Sequence, residues 1–292
     1  LTSLLDEGDD LLVPSPGYPL YTAVLAELGA RENSYYLDEA RGWQPDPADI
    51  ASRITPRTRG IVLINPNNPT GSLAGKETLL AVLELARKHN LLVLSDEIYD
   101  KLVLDGGTHV STASLAADVP ILTTNGLSKS YLVPGFRIGW GILSGPETAV
   151  RDFDEAMNRI LRARLCAPHP GQHAIKPALE GDHRHLDELL AKLTRRRDLV
   201  VEQANAVPGI SCVKPGGAFY AFPRLEFPVD DRTWVNELIR ETGVVVVHGS
   251  GFGQKPGTAH FRVVLLPTED DLRSAFEEIA VFTAKYREKI GV

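Results

Sequence analysis

The sequence has few residues that could cross-link the chain or bind a metal through sulfur. Its 292 residues include only two cysteines, Cys166 and Cys212, which lie far apart. A disulfide-rich framework and a C-x-x-C motif are therefore excluded, and no metal site is predicted. Such sparse use of cysteine favours a reducing compartment, and we expect a cytoplasmic protein.

Two further deficits narrow the class of protein. No run of 18 apolar residues occurs, so the sequence predicts no transmembrane helix and no membrane partner. Positive charge is in deficit, because 31 Lys and Arg residues stand against 38 Asp and Glu residues, giving a formal net charge of −7. Nucleic-acid-binding proteins usually carry a basic surface, so no nucleic-acid partner is expected.

The first half of the chain has the pattern of an α/β protein. Short apolar runs typical of strands alternate with helical spacing, which predicts a mostly parallel sheet sandwiched by helices. The helix predicted at residues 76–90 would bury Leu79, Leu80, Leu83 and Ala86. The strands predicted for this half are six, at residues 10–13, 33–37, 60–64, 91–94, 121–124 and 137–143, with a loop at 41–47.

The second half changes character after Pro146. Long amphipathic helices dominate, and the strands between them are short and broken by Gly and Pro. We therefore predict a large domain over residues 1–165 and a smaller α+β domain over residues 166–292. The predicted helices are 147–165, 172–180, 185–205 and 269–289, and the predicted strands are 210–213, 218–222, 244–247 and 261–265.

Polar residues follow two neighbouring predicted strands, where ligands of open α/β sheets usually bind. Asn68 lies in N-N-P-T-G after residues 60–64, and Asp96 follows residues 91–94, with Tyr99 three positions later. A turn would explain Asn68, and a helix cap would explain Asp96. A carboxylate at the end of a buried strand is nevertheless costly unless it is paired, for example with a protonated ring nitrogen.

A third strand end leads into the stretch with the strongest chemical signal. The loop after residues 121–124 carries Lys129 between Ser128 and Ser130, and Arg137 follows eight positions later. Lys129 alone would be interpreted as a surface residue, because most lysines are exposed. Arg137 is a fixed cation that suits a phosphate. A cofactor with an aldehyde and a phosphate needs such an amine and such a cation.

The segment SKSYLVPGFRIG, residues 128–139, resembles the lysine segment of pyridoxal-phosphate aminotransferases of fold type I, and the resemblance extends over essentially the whole chain. In that family the lysine matching Lys129 forms a Schiff base with pyridoxal 5'-phosphate. The arginine matching Arg137 binds the cofactor phosphate, with Ser128 beside it. The aspartate matching Asp96 binds the pyridine nitrogen. The resemblance thus implies this cofactor and these contacts.

The same resemblance assigns the remaining cofactor contacts. The residues matching Tyr99 and Asn68 bind the ring hydroxyl, and Asn68 also lies beside the substrate. The residue matching Ile98 packs on one face of the ring. The aromatic residue matching Tyr18, in P-S-P-G-Y-P, stacks on the other face. Lys129, Asp96 and Tyr99 are the implied catalytic residues.

Arg262, in H-F-R-V-V-L-L-P, is the candidate substrate clamp. A lone arginine on a strand is usually part of an exposed ion pair. In the family the matching arginine holds the substrate α-carboxylate through two parallel hydrogen bonds. Residues 209–223 and 249–262 resemble alanine aminotransferases in particular. The resemblance therefore implies a homodimer that moves an amino group from an alanine-like donor to 2-oxoglutarate or pyruvate.

Two departures from the family pattern leave alternatives open. Gly126 stands where the family usually has a serine or threonine for the phosphate. The family's N-terminal arm, and a helix whose N-terminus binds the phosphate, find no match ahead of Asp10, so weak cofactor binding is expected. One alternative is a pyridoxal-phosphate-dependent carbon–sulfur lyase. The other is an inactive truncated or cofactor-sensing domain of the same fold, as in some transcription regulators.

Overall fold

A computed structural model describes all 292 residues of the chain and shows an α/β architecture. Five strands of a seven-stranded sheet run parallel, and the two edge strands, β3 and β7, are antiparallel to their neighbours. The order across the sheet is β3-β2-β1-β4-β5-β6-β7. The strands are β1 (Asp10–Ser15), β2 (Arg31–Asp38), β3 (Gln44–Pro45), β4 (Thr58–Ile64), β5 (Leu92–Asp96), β6 (Ile121–Gly126) and β7 (Gly139–Ser144).

The prediction of six strands was one short. All six are present, and the seventh, β3, lies in the segment 41–47 that was expected to be a loop. A two-residue strand that ends in proline has no alternating pattern to reveal it. It is held instead by tertiary contacts, since the Gln44 side chain donates to the carbonyl of Leu73 at 3.0 Å.

Three helices of this half are α1 (Leu20–Glu27), α2 (Pro47–Arg53) and α3 (Lys76–His89). The predicted apolar stripe of α3 was wrong at one position. Leu79, Val82, Leu83 and Ala86 are buried, whereas Leu80 is 42% exposed. Residues 79, 82, 83 and 86 share one helix face because their spacing is 3, 4 and 7, and residue 80 is rotated away from it.

The second half forms a smaller antiparallel sheet covered by helices, with large buried side chains such as Trp234, Phe261 and Phe276 in its core. The predicted division into residues 1–165 and 166–292 stays a prediction.

No helix of the chain combines the length and apolar character that crossing a membrane requires. The helices are α4 (Glu147–Arg164), α5 (His169–Gln172), α6 (Ile175–Glu180), α7 (Arg184–Ala206), α8 (Asp231–Thr242) and α9 (Glu269–Ile290). The strands are β8 (Ile210–Ser211), β9 (Tyr220–Ala221), β10 (Arg224–Leu225), β11 (Val247–His248) and β12 (Ala259–Val264); short 3₁₀ helices lie at Glu39–Arg41, Thr112–Leu115, Pro134–Phe136 and Gly249–Phe252.

The two sheets are joined at the turn after β4. The amides of Gly216 and Gly217 both donate to the carbonyl of Gly71, at 2.9 and 2.8 Å. Gly71 has φ +67°, and a Cβ there would lie 2.7 Å from the Gly217 oxygen and 2.9 Å from the Tyr220 oxygen. Only glycine fits this close approach without a shift of the backbone. The join brings β9 and β12 over the end of the large sheet.

Candidate active site

The carboxyl ends of β4, β5 and β6 lie side by side and open into one cavity of about 450 Å³. The cavity also reaches β9 and β12 of the smaller sheet. The structure therefore brings together residues that lie up to 244 positions apart in sequence, from Tyr18 to Arg262. All nine residues predicted from the sequence line it: Tyr18, Asn68, Asp96, Ile98, Tyr99, Ser128, Lys129, Arg137 and Arg262.

A larger cavity, of about 630 Å³, lies elsewhere, between residues 36–53 and the smaller sheet. Several of its charged groups already have partners. Asp49 pairs with Arg53 at 2.9 Å, and Glu39 pairs with Arg224 at 3.1 Å. None of the predicted site residues lines it. The smaller cavity is therefore the better candidate for chemistry, despite its size.

Asp96 is the last residue of β5 and lies at the floor of the candidate cavity. Its Oδ1 accepts from the Ile98 amide at 3.2 Å, and its Oδ2 accepts from the Tyr21 hydroxyl at 3.4 Å. Burial raises the pKa of Asp96 to about 6, although these two hydrogen bonds oppose the rise. A carboxyl group so placed would gain from a cationic partner in the cavity.

Glu97, the next residue, points away from the cavity and is fully buried. Its Oε1 accepts from the Ser95 hydroxyl at 2.8 Å, the Thr112 amide at 2.9 Å and the Ser111 hydroxyl at 3.2 Å. These bonds satisfy the buried carboxylate and fasten the segment around residue 112 to the end of β5. Sequence reasoning missed this anchor, whose only signal is the D-E pair after a buried strand.

Lys129 lies on the loop after β6 and is half-buried, with its Nζ 5.5 Å from the centre of the Phe219 ring and 5.8 Å from that of Tyr99. It takes part in no salt bridge. Burial lowers its pKa, and the positive charges of Arg262 and Arg137 lower it further, while Asp96 acts in the opposite direction. The neutral, nucleophilic amine is therefore more populated than in an exposed lysine.

Ser128 and Arg137 also line the cavity. Arg137 is exposed, has φ +56°, and donates from Nη1 to the Pro134 carbonyl at 2.9 Å. At Gly126, a Cβ would lie 2.8 Å from the Ile138 carbonyl oxygen. This close approach explains why the position carries no side chain. Thr124 and Asn125 line the cavity nearby and are polar neighbours that the sequence did not single out.

Arg262 on β12 is not the exposed ion pair that a strand arginine usually forms. Its Cζ lies 4.5 Å from the ring centres of both Tyr220 and Phe252, so the guanidinium is held between two aromatic rings. Its Nη1 donates to Asn68 Oδ1 at 3.0 Å, and its buried Nε has no partner. A fixed planar donor with an unused buried N–H suits a carboxylate.

Sequence reasoning missed two tyrosines of this site. Tyr21, on α1, reaches Asp96. Tyr220, on β9, lines the cavity and places its hydroxyl 3.1 Å from that of Tyr99. Tyr220 lies within the stretch 209–223 that resembles alanine aminotransferases, so the signal was present but was not assigned to this residue.

Comparisons with known proteins agree with the geometry. A family model described as aminotransferase class I and II matches residues 1–279. An alanine aminotransferase of Mycobacterium tuberculosis is 45% identical, with 99% of this chain and 68% of the relative covered. The glutamate-pyruvate aminotransferase AlaA of Escherichia coli K12 is 43% identical, with 99% and 72% covered. The structure of an alanine aminotransferase from Pyrococcus furiosus matches with a TM-score of 0.94 at 42% identity, with 97% of this chain and 72% of that chain covered.

Proposed function

Because the chain belongs to the aminotransferase class I and II family, whose members use pyridoxal 5'-phosphate, we propose that it exchanges amino groups between alanine or glutamate and 2-oxo acids. The observation that carries the proposal is the single cavity that holds Lys129, Asp96 and Arg262 together. These side chains supply an amine, a carboxylate and a guanidinium. The similarity to alanine and glutamate-pyruvate aminotransferases supports the choice of substrates.

The donor set of the cavity fits this cofactor. When bound, pyridoxal 5'-phosphate supplies an aldehyde that reacts with amines and a ring that withdraws electrons from the substrate α-carbon. The raised pKa of Asp96 is the sign of a buried carboxylate that lacks a cation. In our proposal Asp96 pairs with the protonated ring nitrogen, and the buried side chains of Tyr99 and Asn68 bind the ring hydroxyl.

The remaining contacts follow from their places around the cavity. Ile98 would pack on one face of the ring and Tyr18, which is 42% exposed, on the other. Ser128 and Arg137 would bind the phosphate through a hydroxyl and a guanidinium. Arg137 is exposed and its Nη1 bonds only to a carbonyl, so its charge is available for an anion.

Lys129 has two tasks in the proposal. Its lowered pKa favours the neutral amine, which can hold the cofactor covalently. Once a substrate amine has replaced it, the released Lys129 amine remains next to the substrate α-carbon. It can then remove the α-proton as a general base and return a proton as a general acid. The aromatic rings of Tyr99 and Phe219 beside Nζ limit the access of water.

A transamination assay tests the function. The protein, supplied with pyridoxal 5'-phosphate, is expected to form pyruvate from alanine only when 2-oxoglutarate is also present. Formation of pyruvate from an S-alkylcysteine without any 2-oxo acid would identify a carbon–sulfur lyase instead. Absence of turnover with both alanine and glutamate as donors would contradict the proposal.

Arg262→Lys is expected to weaken amino-acid binding while leaving the cofactor in place. Lysine keeps the charge but loses the planar pair of donors. Loss of one charge-assisted hydrogen bond is worth about 1.5–3 kcal/mol, so KM for alanine should rise by roughly 10- to 150-fold. Arg240→Lys, an exposed residue on α8, is the matched control. An unchanged KM for alanine and glutamate in Arg262→Lys would remove this role.

The homodimer is also part of the proposal. Helix α4 has no buried residue. The apolar side chains of Leu161, on this helix, and Leu165, just after it, are 60% and 87% exposed, and Ile142 on β7 is also exposed. Packing of two copies would cover such an apolar surface. Light scattering after gel filtration should give twice the chain mass of 31.9 kDa, and Leu161→Asp should lower it. If the wild type and Leu161→Asp were both monomeric at micromolar concentration, the proposed dimer would be refuted.

We also propose a cytoplasmic location. Cys166 and Cys212 are both free thiols, as is usual in a reducing compartment. Fractionation of the source cells checks this proposal, and recovery of the protein outside the cytoplasmic fraction would contradict it.

A further inference from the structure

Tyr220 contacts both ends of the candidate site. Its ring lies against the guanidinium of Arg262, with 4.5 Å from the ring centre to Cζ. Its hydroxyl oxygen lies 3.1 Å from the hydroxyl oxygen of Tyr99. The buried Tyr220 side chain therefore touches both Arg262, the proposed carboxylate clamp, and Tyr99, the proposed partner of the cofactor's ring hydroxyl. No other residue of the cavity forms a hydrogen bond with the Tyr99 hydroxyl.

The backbone around Tyr220 is held from three sides. Tyr220 pairs with Val264 across the antiparallel strands β9 and β12. The amide of Ala218 donates to the Leu102 carbonyl at 2.8 Å, and the amide of Leu265 donates to the Phe219 carbonyl at 2.9 Å. The Tyr220 hydroxyl thus has a fixed position relative to the loop that carries Tyr99.

The pairing of the two buried hydroxyls of Tyr99 and Tyr220 allows two arrangements of their protons. Each phenol has one proton to donate and lone pairs to accept, and either can be the donor. Burial raises the pKa of Tyr99, so Tyr99 keeps its proton. If Tyr220 donates to Tyr99, the Tyr99 proton is free to point into the cavity, and the donated bond polarises Tyr99 into a stronger donor.

We propose that Tyr220 is a positioning residue: its hydroxyl donates to Tyr99 and so directs the Tyr99 proton to the cofactor's ring oxygen, while its ring holds Arg262 in the plane that a carboxylate requires. The inference rests on the proposed function. It links cofactor chemistry to substrate binding through one side chain whose hydroxyl and ring can be altered separately.

Phe252 provides the comparison that separates the two tasks. Its ring lies against the other face of Arg262, also 4.5 Å from Cζ. It has no hydroxyl and forms neither an aromatic pair nor a hydrogen bond with Tyr99. Loss of Phe252 should therefore disturb Arg262 alone, whereas Tyr220→Phe keeps the ring against Arg262 and removes only the bond to Tyr99.

The expected shift has a definite sign. A hydrogen bond from Tyr99 stabilises negative charge on the cofactor's ring oxygen. The bound cofactor therefore loses the proton that it shares with this oxygen at a lower pH. A weaker Tyr99 donor raises the pH midpoint of the bound cofactor's absorbance change. Other titratable or charged groups facing this position are unchanged in the variants: Tyr18, Tyr21, Asp96, Lys129, Arg137 and Arg262.

The experiment compares wild type, Tyr220→Phe and Phe252→Leu, each loaded with pyridoxal 5'-phosphate. In Tyr220→Phe the absorbance midpoint should rise by about half a pH unit or more and kcat should fall several-fold, with KM for alanine within about two-fold of wild type. In Phe252→Leu, KM should rise about ten-fold with the midpoint unmoved. An unmoved midpoint in Tyr220→Phe, or equal midpoint shifts in both variants, would overturn the inference.

A double variant makes the test independent of general loosening of the site. Because Tyr220 acts through Tyr99, Tyr99→Phe/Tyr220→Phe should have the same midpoint as Tyr99→Phe alone. Additive shifts would overturn the inference. Failure of wild type itself to show a cofactor absorbance band would instead contradict the proposed function, so the two failures are distinguishable.

Discussion

Replacing Lys129 with alanine is expected to abolish transamination almost completely. The variant loses the amine that holds the cofactor and the base that moves the α-proton, and general acid–base catalysis alone is worth about 10²–10⁴-fold. We expect kcat/KM for alanine to fall by at least about 10⁴-fold, since both tasks are lost together. Lys129→Arg should be equally inactive, because an arginine keeps the charge but is no nucleophile at neutral pH.

The control for Lys129 is Lys285→Ala, because Lys285 is an exposed lysine on α9 that does not line the cavity. It should keep wild-type kcat and KM. Steady-state rates with alanine and 2-oxoglutarate measure all three variants. If Lys129→Ala kept more than about one per cent of wild-type kcat/KM, the amine would not be the general base, given the range expected for such catalysis.

Replacing Asp96 with asparagine is expected to impair function and, in the absence of cofactor, to stabilise the folded protein. With cofactor bound, the variant lacks the negative partner of the ring nitrogen. Breaking a buried charge pair costs about 3–5 kcal/mol, so cofactor affinity or kcat should fall by roughly 10²–10⁴-fold. An absorbance titration with pyridoxal 5'-phosphate and the transamination assay measure the two quantities.

Without cofactor the same substitution should stabilise the protein at neutral pH. The pKa of Asp96 is about 6 in the folded state against the usual 3.8, so the folded protein binds the proton more tightly. The favourable contribution of this group is complete below about pH 4 and is lost as the pH rises through about 6. At pH 7.5 the ionised carboxylate costs up to about 3 kcal/mol, which asparagine avoids.

Denaturant unfolding of the cofactor-free protein at pH 5 and pH 7.5 checks this sign. Wild type should lose stability relative to Asp96→Asn between the two values. A constant difference between the proteins would mean that Asp96 does not titrate in this interval. If Asp96→Asn also bound cofactor as tightly as wild type, its proposed pairing with the ring nitrogen would be wrong.

The stability cost has a structural origin. Asp96 receives hydrogen bonds from Tyr21 and the Ile98 amide, yet these do not compensate for burial. Glu97, one residue later, has three donors around one carboxylate oxygen and closes its own network. Two adjacent carboxylates thus have different tasks: Glu97 fastens the end of the strand, and Asp96 remains available to a cation in the cavity.

The sequence predicted the parts of the site that depend on strand order. Buried runs followed by Asn68, Asp96 and Lys129 predicted three strand ends that carry polar residues, and the structure places these strands, β4, β5 and β6, side by side. A parallel sheet brings such ends to one edge whatever the details of packing. The resemblance supplied the roles, and the cavity brings the same residues together.

The missed residues are those that reach the site through long-range packing. Tyr21 contacts Asp96 across 75 positions, and Tyr220 contacts Tyr99 across 121. Phe252 reaches Arg262 only because a 3₁₀ helix packs on β12. No local pattern distinguishes these aromatic residues from ordinary core residues, whose periodicity is the same. Strand β3 was missed for a related reason, since its contacts rather than its residues define it.

Chemical trapping at Lys129 tests the central claim most directly. The protein is mixed with a saturating excess of pyridoxal 5'-phosphate, reduced with borohydride, digested and analysed by mass spectrometry. We predict that the cofactor-derived mass is found on the peptide containing Lys129 at close to one per chain, and that excess alanine added before reduction lowers the labelling. Labelling of another lysine instead, or of many lysines without protection by alanine, would contradict the account.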